Sequence, residues 1–286
     1  MANLTTLRNI EIAGSNGRPI LLDLAWKPNS RPKPLLIFAH GFKGFKDWGP
    51  FPLLDEAFGE REYIVARFNF SHNGTTPAHP TEFADLEAFG HNTFSKELDD
   101  LGYVIDYLCG KESPVPGTEK DPQAVYLLGH SRGGGDALLR AAEDNRVKKV
   151  AAWSPISDIA KRYPEETIQQ WEKQGKLIIP NSRTGQEMPL YTDLLEDYRQ
   201  HTARLDLPNK LPQVQQPVLV IHGSADQTVS TREALEIDER TPNCEFYLFH
   251  QAGHTLGGQH PWQEEKMPKD MGDAVEITHR FFQNAE

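Results

Sequence analysis

A serine framed by glycines is the first feature of this chain that could do chemistry. Gly129-His130-Ser131-Arg132-Gly133 is a G-x-S-x-G pattern, and it directly follows the apolar run 124–128. Residues 136–143 then read as helix, so the pattern predicts strand, sharp turn and helix in that order. Such a turn holds the serine in a strained backbone conformation, and side chains at Gly129 or Gly133 would collide with the neighbouring strand and helix. Ser131 is expected at the carboxyl end of a sheet, beside a helix N-terminus whose N–H groups can face a developing anion. The bland reading of the same residues is a Gly-rich helix entry.

A serine hydroxyl is a weak nucleophile and needs a base, which in turn needs an orienting acid, in the chain order Ser, Asp, His. The run 218–221 ends in His222-Gly223-Ser224-Ala225-Asp226, and the run 246–249 ends in His250-Gln251-Ala252-Gly253-His254. Each places its residue in a loop at a strand's carboxyl end. Taken singly, a loop Asp usually caps a helix and a loop His usually sits in solvent. Their shared order and placement make Asp226 and His254 the expected acid and base. Asp158 is the competing acid, because it lies just beyond the strand that ends at Trp153; its other reading is a helix N-terminal residue. His250, His254 and His260 lie close in sequence, but the glycines between them preclude the helix that zinc-binding H-x-x-x-H spacing needs. We expect no metal and no cofactor.

Acyl transfer also needs backbone N–H groups aimed at the tetrahedral oxygen. One donor is expected from Arg132, after the nucleophile, and the other from the loop His40-Gly41-Phe42-Lys43-Gly44 that follows the run 35–39. Gly41 would allow a tight turn, and Phe42 would supply the N–H. An ordinary glycine turn is the alternative. The loop 69–74 also lies at a strand end and is expected to shape its own turn rather than touch substrate.

The elements that must hold these residues are legible as short continuous apolar runs at 35–39, 63–68, 124–128, 147–153, 218–221 and 246–249, the pattern of strands buried on both faces. Between them lie helical spacings, clearest in Phe94, Leu98, Leu101, Val104, Ile105 and Leu108. Strand alternating with helix predicts an α/β fold with a mostly parallel sheet covered on both faces. Residues 7–12 and 19–26 flank Gly14-Ser15-Asn16-Gly17 and read as an antiparallel hairpin on the sheet edge. From 157 to 214 the chain turns polar and aromatic, with a small hairpin over 176–188. We read 1–156 and 215–286 as one core and 157–214 as an inserted cap; a surface excursion without a catalytic role is the alternative.

Composition bounds the partners. The chain has 286 residues, 38% apolar and 25% charged, with 30 Lys+Arg against 41 Asp+Glu and a net charge of −11. That balance excludes disorder and fibre, and it argues against nucleic acid and strongly anionic substrates. No basic block, signal-like start or run of about 18 apolar residues is present, so no membrane partner is expected. Two cysteines, Cys109 and Cys244, make neither a disulfide framework nor a metal site, and a cytoplasmic home is the simplest expectation.

With HGF, GHSRGG, HGSADQTV and AGH in this order, the chain resembles the α/β-hydrolase superfamily over nearly its whole length outside the cap. More narrowly it is similar to the small-capped carboxylesterases of the cinnamoyl and feruloyl esterase type, with Arg132 standing where that branch has Gln. The resemblance implies Ser131, Asp226 and His254 as the triad and Phe42 and Arg132 as oxyanion donors. A serine esterase acting on a small or aromatic carboxylic ester is the expected function. Peptidase, thioesterase, acyltransferase, perhydrolase or carbon–carbon hydrolase chemistry on the same triad is the alternative, and a non-catalytic binding protein on this scaffold the remote one.

Overall fold

The apolar runs become strands because a covering layer takes the side chains on each of their faces. In the computed structural model, which describes residues 3–284, eight strands form one sheet: β1 (Thr5–Ala13), β2 (Pro19–Trp26), β3 (Lys33–Ala39), β4 (Ile64–Asn69), β5 (Lys120–His130), β6 (Val147–Trp153), β9 (Val218–Gly223) and β10 (Cys244–Phe249). Two further strands, β7 (Lys176–Pro180) and β8 (Glu187–Tyr191), make a separate hairpin. The sheet order is β1-β2-β4-β3-β5-β6-β9-β10. β1 pairs antiparallel with β2 and β2 with β4, and every later pairing is parallel.

The helices are α1 (Leu54–Gly59), α2 (Leu86–Gly90), α3 (Phe94–Cys109), α4 (Arg132–Glu143), α5 (Glu165–Gln174), α6 (Asp193–Gln200), α7 (Thr202–Leu205), α8 (Leu207–Lys210), α9 (Thr231–Arg240) and α10 (Lys269–Gln283). Alternate residues of one strand enter opposite cores. Leu35, Ile37 and Leu127 pack with α3, α4 and α9, whereas Leu36, Phe38 and Leu128 pack with α1 and α10. This two-sided burial is why the runs show no polar alternation. α3 is held by Thr93, whose hydroxyl accepts the Lys96 N–H, and its apolar stripe of Phe94, Leu98, Leu101, Val104, Ile105 and Leu108 is buried throughout. Among the described residues no helix is long and apolar enough to cross a membrane.

Two boundaries differ from the sequence reading. α4 begins at Arg132, not at residue 136, so the glycine run lies inside the helix. Low glycine propensity hid that turn, and packing imposes it: a Cβ at Gly134 would lie 2.8 Å from Pro155 Cβ, and one at Gly135 2.8 Å from Ile156 Cγ1. β5 begins earlier than its apolar run, at Lys120, because Lys33 and Pro34 of β3 pair with Lys120 and Asp121 before a register shift.

Between β6 and β9 the chain leaves the sheet for α5 to α8 and the β7–β8 hairpin. Trp171 on α5 is fully buried, its ring edge-on to Tyr163 at 5.2 Å. The hairpin pairs Lys176 with Tyr191 and Pro180 with Glu187, so its second strand runs three residues past 188. It packs closely on α2, since a Cβ at Gly90 would lie 2.6 Å from the Tyr191 ring. The end of the segment returns to the core, with Leu205, Leu207, Leu211 and Val214 fully buried.

Candidate active site

The tight turn after β5 gives Ser131 its exposure to chemistry. Its backbone has φ 57° and ψ −120°, a conformation that L-residues avoid. The strain persists because the surroundings allow no alternative. A Cβ at Gly129 would lie 2.2 Å from the Gly133 carbonyl oxygen, and one at Gly133 2.4 Å from that of Ala39. Strand, elbow and helix can approach this closely only through glycine.

The structure brings Ser131, His254 and Asp226 into one hydrogen-bonded chain. Ser131 Oγ lies 3.0 Å from His254 Nε2, and His254 Nδ1 lies 2.7 Å from Asp226 Oδ2. A carboxylate only accepts, so Nδ1 carries the proton and Nε2 faces the serine as the free base. The other Asp226 oxygen accepts the N–H groups of Thr228 at 2.8 Å and Val229 at 2.9 Å. Burial alone would raise the Asp226 carboxyl, but hydrogen bonds from His222, His254 and the Val229 N–H outweigh it. Together they hold the group far below the usual carboxylate range.

Asp158 has a different neighbourhood. Its Oδ1 accepts the Lys161 N–H at 3.2 Å and its Oδ2 pairs with Lys161 Nζ at 2.7 Å, so it anchors the single 3-10 turn Ala160–Arg162.

Two histidines that sequence reasoning passed over brace the cluster. His222, fully buried at the end of β9, places Nε2 3.2 Å from Asp226 Oδ2 and 3.0 Å from the Val229 carbonyl oxygen. Both partners accept, so this nitrogen carries hydrogen. His130 donates from Nε2 to the His254 carbonyl oxygen at 2.9 Å, tying the elbow to the base's loop. The spacing His222-x-x-x-Asp226 and the position of His130 beside the nucleophile were the available signals. Burial pushes His130 down to about 3 and His40 down to about 4, so both stay neutral. His260 accepts the Gly49 N–H on Nδ1 at 2.9 Å and packs against Trp48, and His250 is exposed.

The loop after β3 abuts Ser131. Gly41 is there for closeness rather than for a turn, since it does not adopt positive φ. A Cβ on it would lie 2.8 Å from Ser131 Cβ and 3.3 Å from Oγ. Gly41→Ala is therefore expected to displace the loop or the serine and to lower kcat/KM by about a hundredfold, the scale of a 1 Å misplacement. Steady-state kinetics beside a thermal melt would check this; unchanged kinetics would show that the loop has room. The N–H groups of Phe42 and Arg132 are given to no protein acceptor among the described residues. Arg132 is the first residue of α4, where such N–H groups are free by geometry. The loop 69–74 braces from behind, with Asn73 Nδ2 3.2 Å from the Gly44 carbonyl oxygen and 3.4 Å from His40 Nε2.

These groups open on a cavity of about 660 Å³. Its apolar wall includes Phe42, Trp48, Phe94, Tyr163, Leu194 and Val229, and the segment between β6 and β9 adds Asn181, Ser182 and Arg183 from the hairpin turn. Beneath it the Arg132 guanidinium lies over the Phe94 ring at 3.8 Å, with Nε 2.8 Å from buried Glu97. Burial and the charge of Glu97 push Asp136, one helical turn on, well above the usual carboxylate range.

A mostly parallel sheet with an antiparallel N-terminal pair, and a strained serine turn between β5 and α4, define an alpha/beta-hydrolase fold. The chain belongs to the alpha/beta hydrolase family, whose model matches residues 36–265. Among curated proteins it is 22% identical over 262 residues to the monoglyceride lipase of Rattus norvegicus, covering 82% of this chain and 80% of the lipase. It is 31% identical over 126 residues to YtmA of Bacillus subtilis (strain 168), described as an uncharacterized peptidase, covering 44% of this chain and 43% of YtmA. It is also 26% identical over 125 residues to the quorum-quenching protein AidA of Acinetobacter baumannii (strain MDR-ZJ06), covering 44% of this chain and 36% of AidA. The chain thus spans less than half the length of these last two relatives. Est1E from Butyrivibrio proteoclasticus, solved with ferulic acid bound, shares the fold with a TM-score of 0.69 at 19% identity, over 96% of this chain and 100% of that one.

Proposed function

We propose that this hydrolase is a serine esterase that cleaves a carboxylic ester through an acyl-enzyme. The observation that carries the reading is the hydrogen-bonded chain from Ser131 through His254 to Asp226. In the first half-reaction His254 Nε2 takes the Oγ proton as Oγ bonds to the ester carbonyl carbon. The N–H groups of Phe42 and Arg132 hold the oxyanion, and Asp226 stabilises the imidazolium. The carbon–oxygen bond to the alcohol then breaks, and the alcohol leaves with the proton from His254. Water, deprotonated by the same nitrogen, releases the acid and regenerates Ser131. Residues 157–214 act as the cap that supplies one wall of the substrate cavity.

The monoglyceride lipase relative and the largely apolar wall support an ester with an apolar body. Labelling of the wild-type protein by a fluorophosphonate, followed by a panel of p-nitrophenyl esters, aromatic esters and aminoacyl amides, tests the reading. Faster cleavage of the amides would replace the esterase with a peptidase, which is what the YtmA relative is described as. The absence of any labelling would remove the nucleophile altogether.

The pH profile follows from the cluster. His40 and His130 are held neutral by burial, at about 4 and about 3, and Asp226 stays ionised well below the usual carboxylate range. The proposed mechanism needs one base free to take one proton from Ser131, so a single protonation disables the site. On the acid side kcat/KM should therefore fall about tenfold per pH unit, a slope of one. A slope of two in a stopped-flow or steady-state profile would show that a second group must also be deprotonated.

A further inference from the structure

The charge lining the cavity is opposite to the charge of the chain. The protein carries a net −11, yet among the described residues the cavity wall includes Lys43, Arg132, Arg162 and Arg183 and no Asp or Glu. Two of the four are already matched inside the protein. Arg162 binds both oxygens of Glu233 at 2.6 and 2.9 Å, and Arg132 lies 2.8 Å from Glu97. The other two have no carboxylate within ion-pair distance among the described residues. Lys43 Nζ lies 5.9 Å from the centre of the Phe42 ring and 3.4 Å from the Pro180 carbonyl oxygen, which joins the loop after β3 to the β7–β8 hairpin. Arg183 stands in the turn of that hairpin, and its charge reaches His260 on the cavity wall.

A third group in the same place is short of a partner. Asn181 is 6% exposed and lines the cavity. Its Oδ1 accepts the Arg183 N–H at 3.2 Å, whereas its Nδ2 is buried with no acceptor. An unpaired buried amide donor is unfavourable, and a small turn of this side chain toward an acceptor brought into the cavity would relieve it. Two cations without a carboxylate partner and one unmatched donor thus lie together where the loop after β3 meets the hairpin turn, in a cavity whose exposed wall is largely apolar.

We propose that the substrate is a half-ester, carrying a second and free carboxylate that Lys43, Arg183 and Nδ2 of Asn181 bind while the ester carbonyl meets Ser131. The inference rests on the esterase reading and narrows it. The apolar wall takes the chain between the two carboxyl groups, and the paired cations take the terminal anion against the repulsion of the protein's overall charge.

The test compares mono-4-nitrophenyl glutarate, which carries the free carboxylate, with 4-nitrophenyl valerate, which does not. The wild-type protein should favour the glutarate in kcat/KM by about tenfold at low ionic strength, and the preference should shrink in about 0.5 M salt. In Lys43→Gln combined with Arg183→Gln the ratio should fall to about one. The ratio is the readout, so a general loss of activity in the variant does not imitate the result, and each single substitution should give an intermediate value. A wild-type preference for the valerate, or a glutarate preference that survives the double substitution, overturns the proposal while leaving the esterase reading in place. Turnover of neither ester together with no fluorophosphonate labelling overturns both.

Discussion

Replacing Ser131 by Ala should lower ester turnover by about a millionfold, because removing one member of a triad disables nucleophile and base together. The substitution deletes one oxygen that accepts no capping hydrogen bond from α4, so the fold has little reason to respond. Melting temperature and circular dichroism should match the wild type, and fluorophosphonate labelling should vanish. Alanine at 131 would inherit the strained φ of 57°, which makes the melt a necessary control. A variant that keeps its melt and near wild-type turnover would show that another residue attacks the ester.

The acid should give the second-largest effect. Asp226→Asn is expected to lower kcat by about ten-thousandfold, the scale of tautomer loss in related triads. The geometry gives the reason, since neither orientation of the introduced amide fits. With its nitrogen at the Oδ2 position it would confront the Nδ1–H of His254, drive the proton to Nε2 and point a donor at the serine. With its nitrogen at the Oδ1 position it would confront the N–H groups of Thr228 and Val229, which now donate at 2.8 and 2.9 Å. Asp158→Asn should change kcat by less than about tenfold, because that carboxylate is engaged by Lys161. The opposite ranking of the two variants would move the acid to the loop after β6.

The loops that carry Ser131, Asp226 and His254 were legible because each follows a strand whose apolar run is continuous, and a continuous run announces burial on both faces. The start of α4 was not. A run of three glycines, Gly133 to Gly135, carries no helical signal of its own, and what makes it helical is the approach of Pro155 and Ile156. Gly41 was found for a reason the structure replaces: it is small so that the loop can touch Ser131, not so that the chain can turn. His222 was missed for a similar cause, since its spacing to Asp226 is only a weak signal. A histidine closing an apolar strand resembles any strand end until the fold places its ring beside a carboxylate. Local periodicity reports what an element needs, whereas these contacts join elements far apart in sequence.

The hairpin turn that bears Asn181 and Arg183 has a consequence for how this protein could diversify. Its strands lean on α2 and bury Met188 and Leu190 in the core, while Leu205, Leu207, Leu211 and Val214 seal the end of the segment. The elbow depends on glycine contacts among β3, β5 and α4, none of which involves the hairpin. On the proposed reading, the part of the carboxylate site that Asn181 and Arg183 supply therefore lies in a different stretch of the gene from Ser131, Asp226 and His254. A graft confined to the turn, residues 181–186, could retune which acid is accepted while leaving Ser131, His254, Asp226 and the buried Met188 and Leu190 in place.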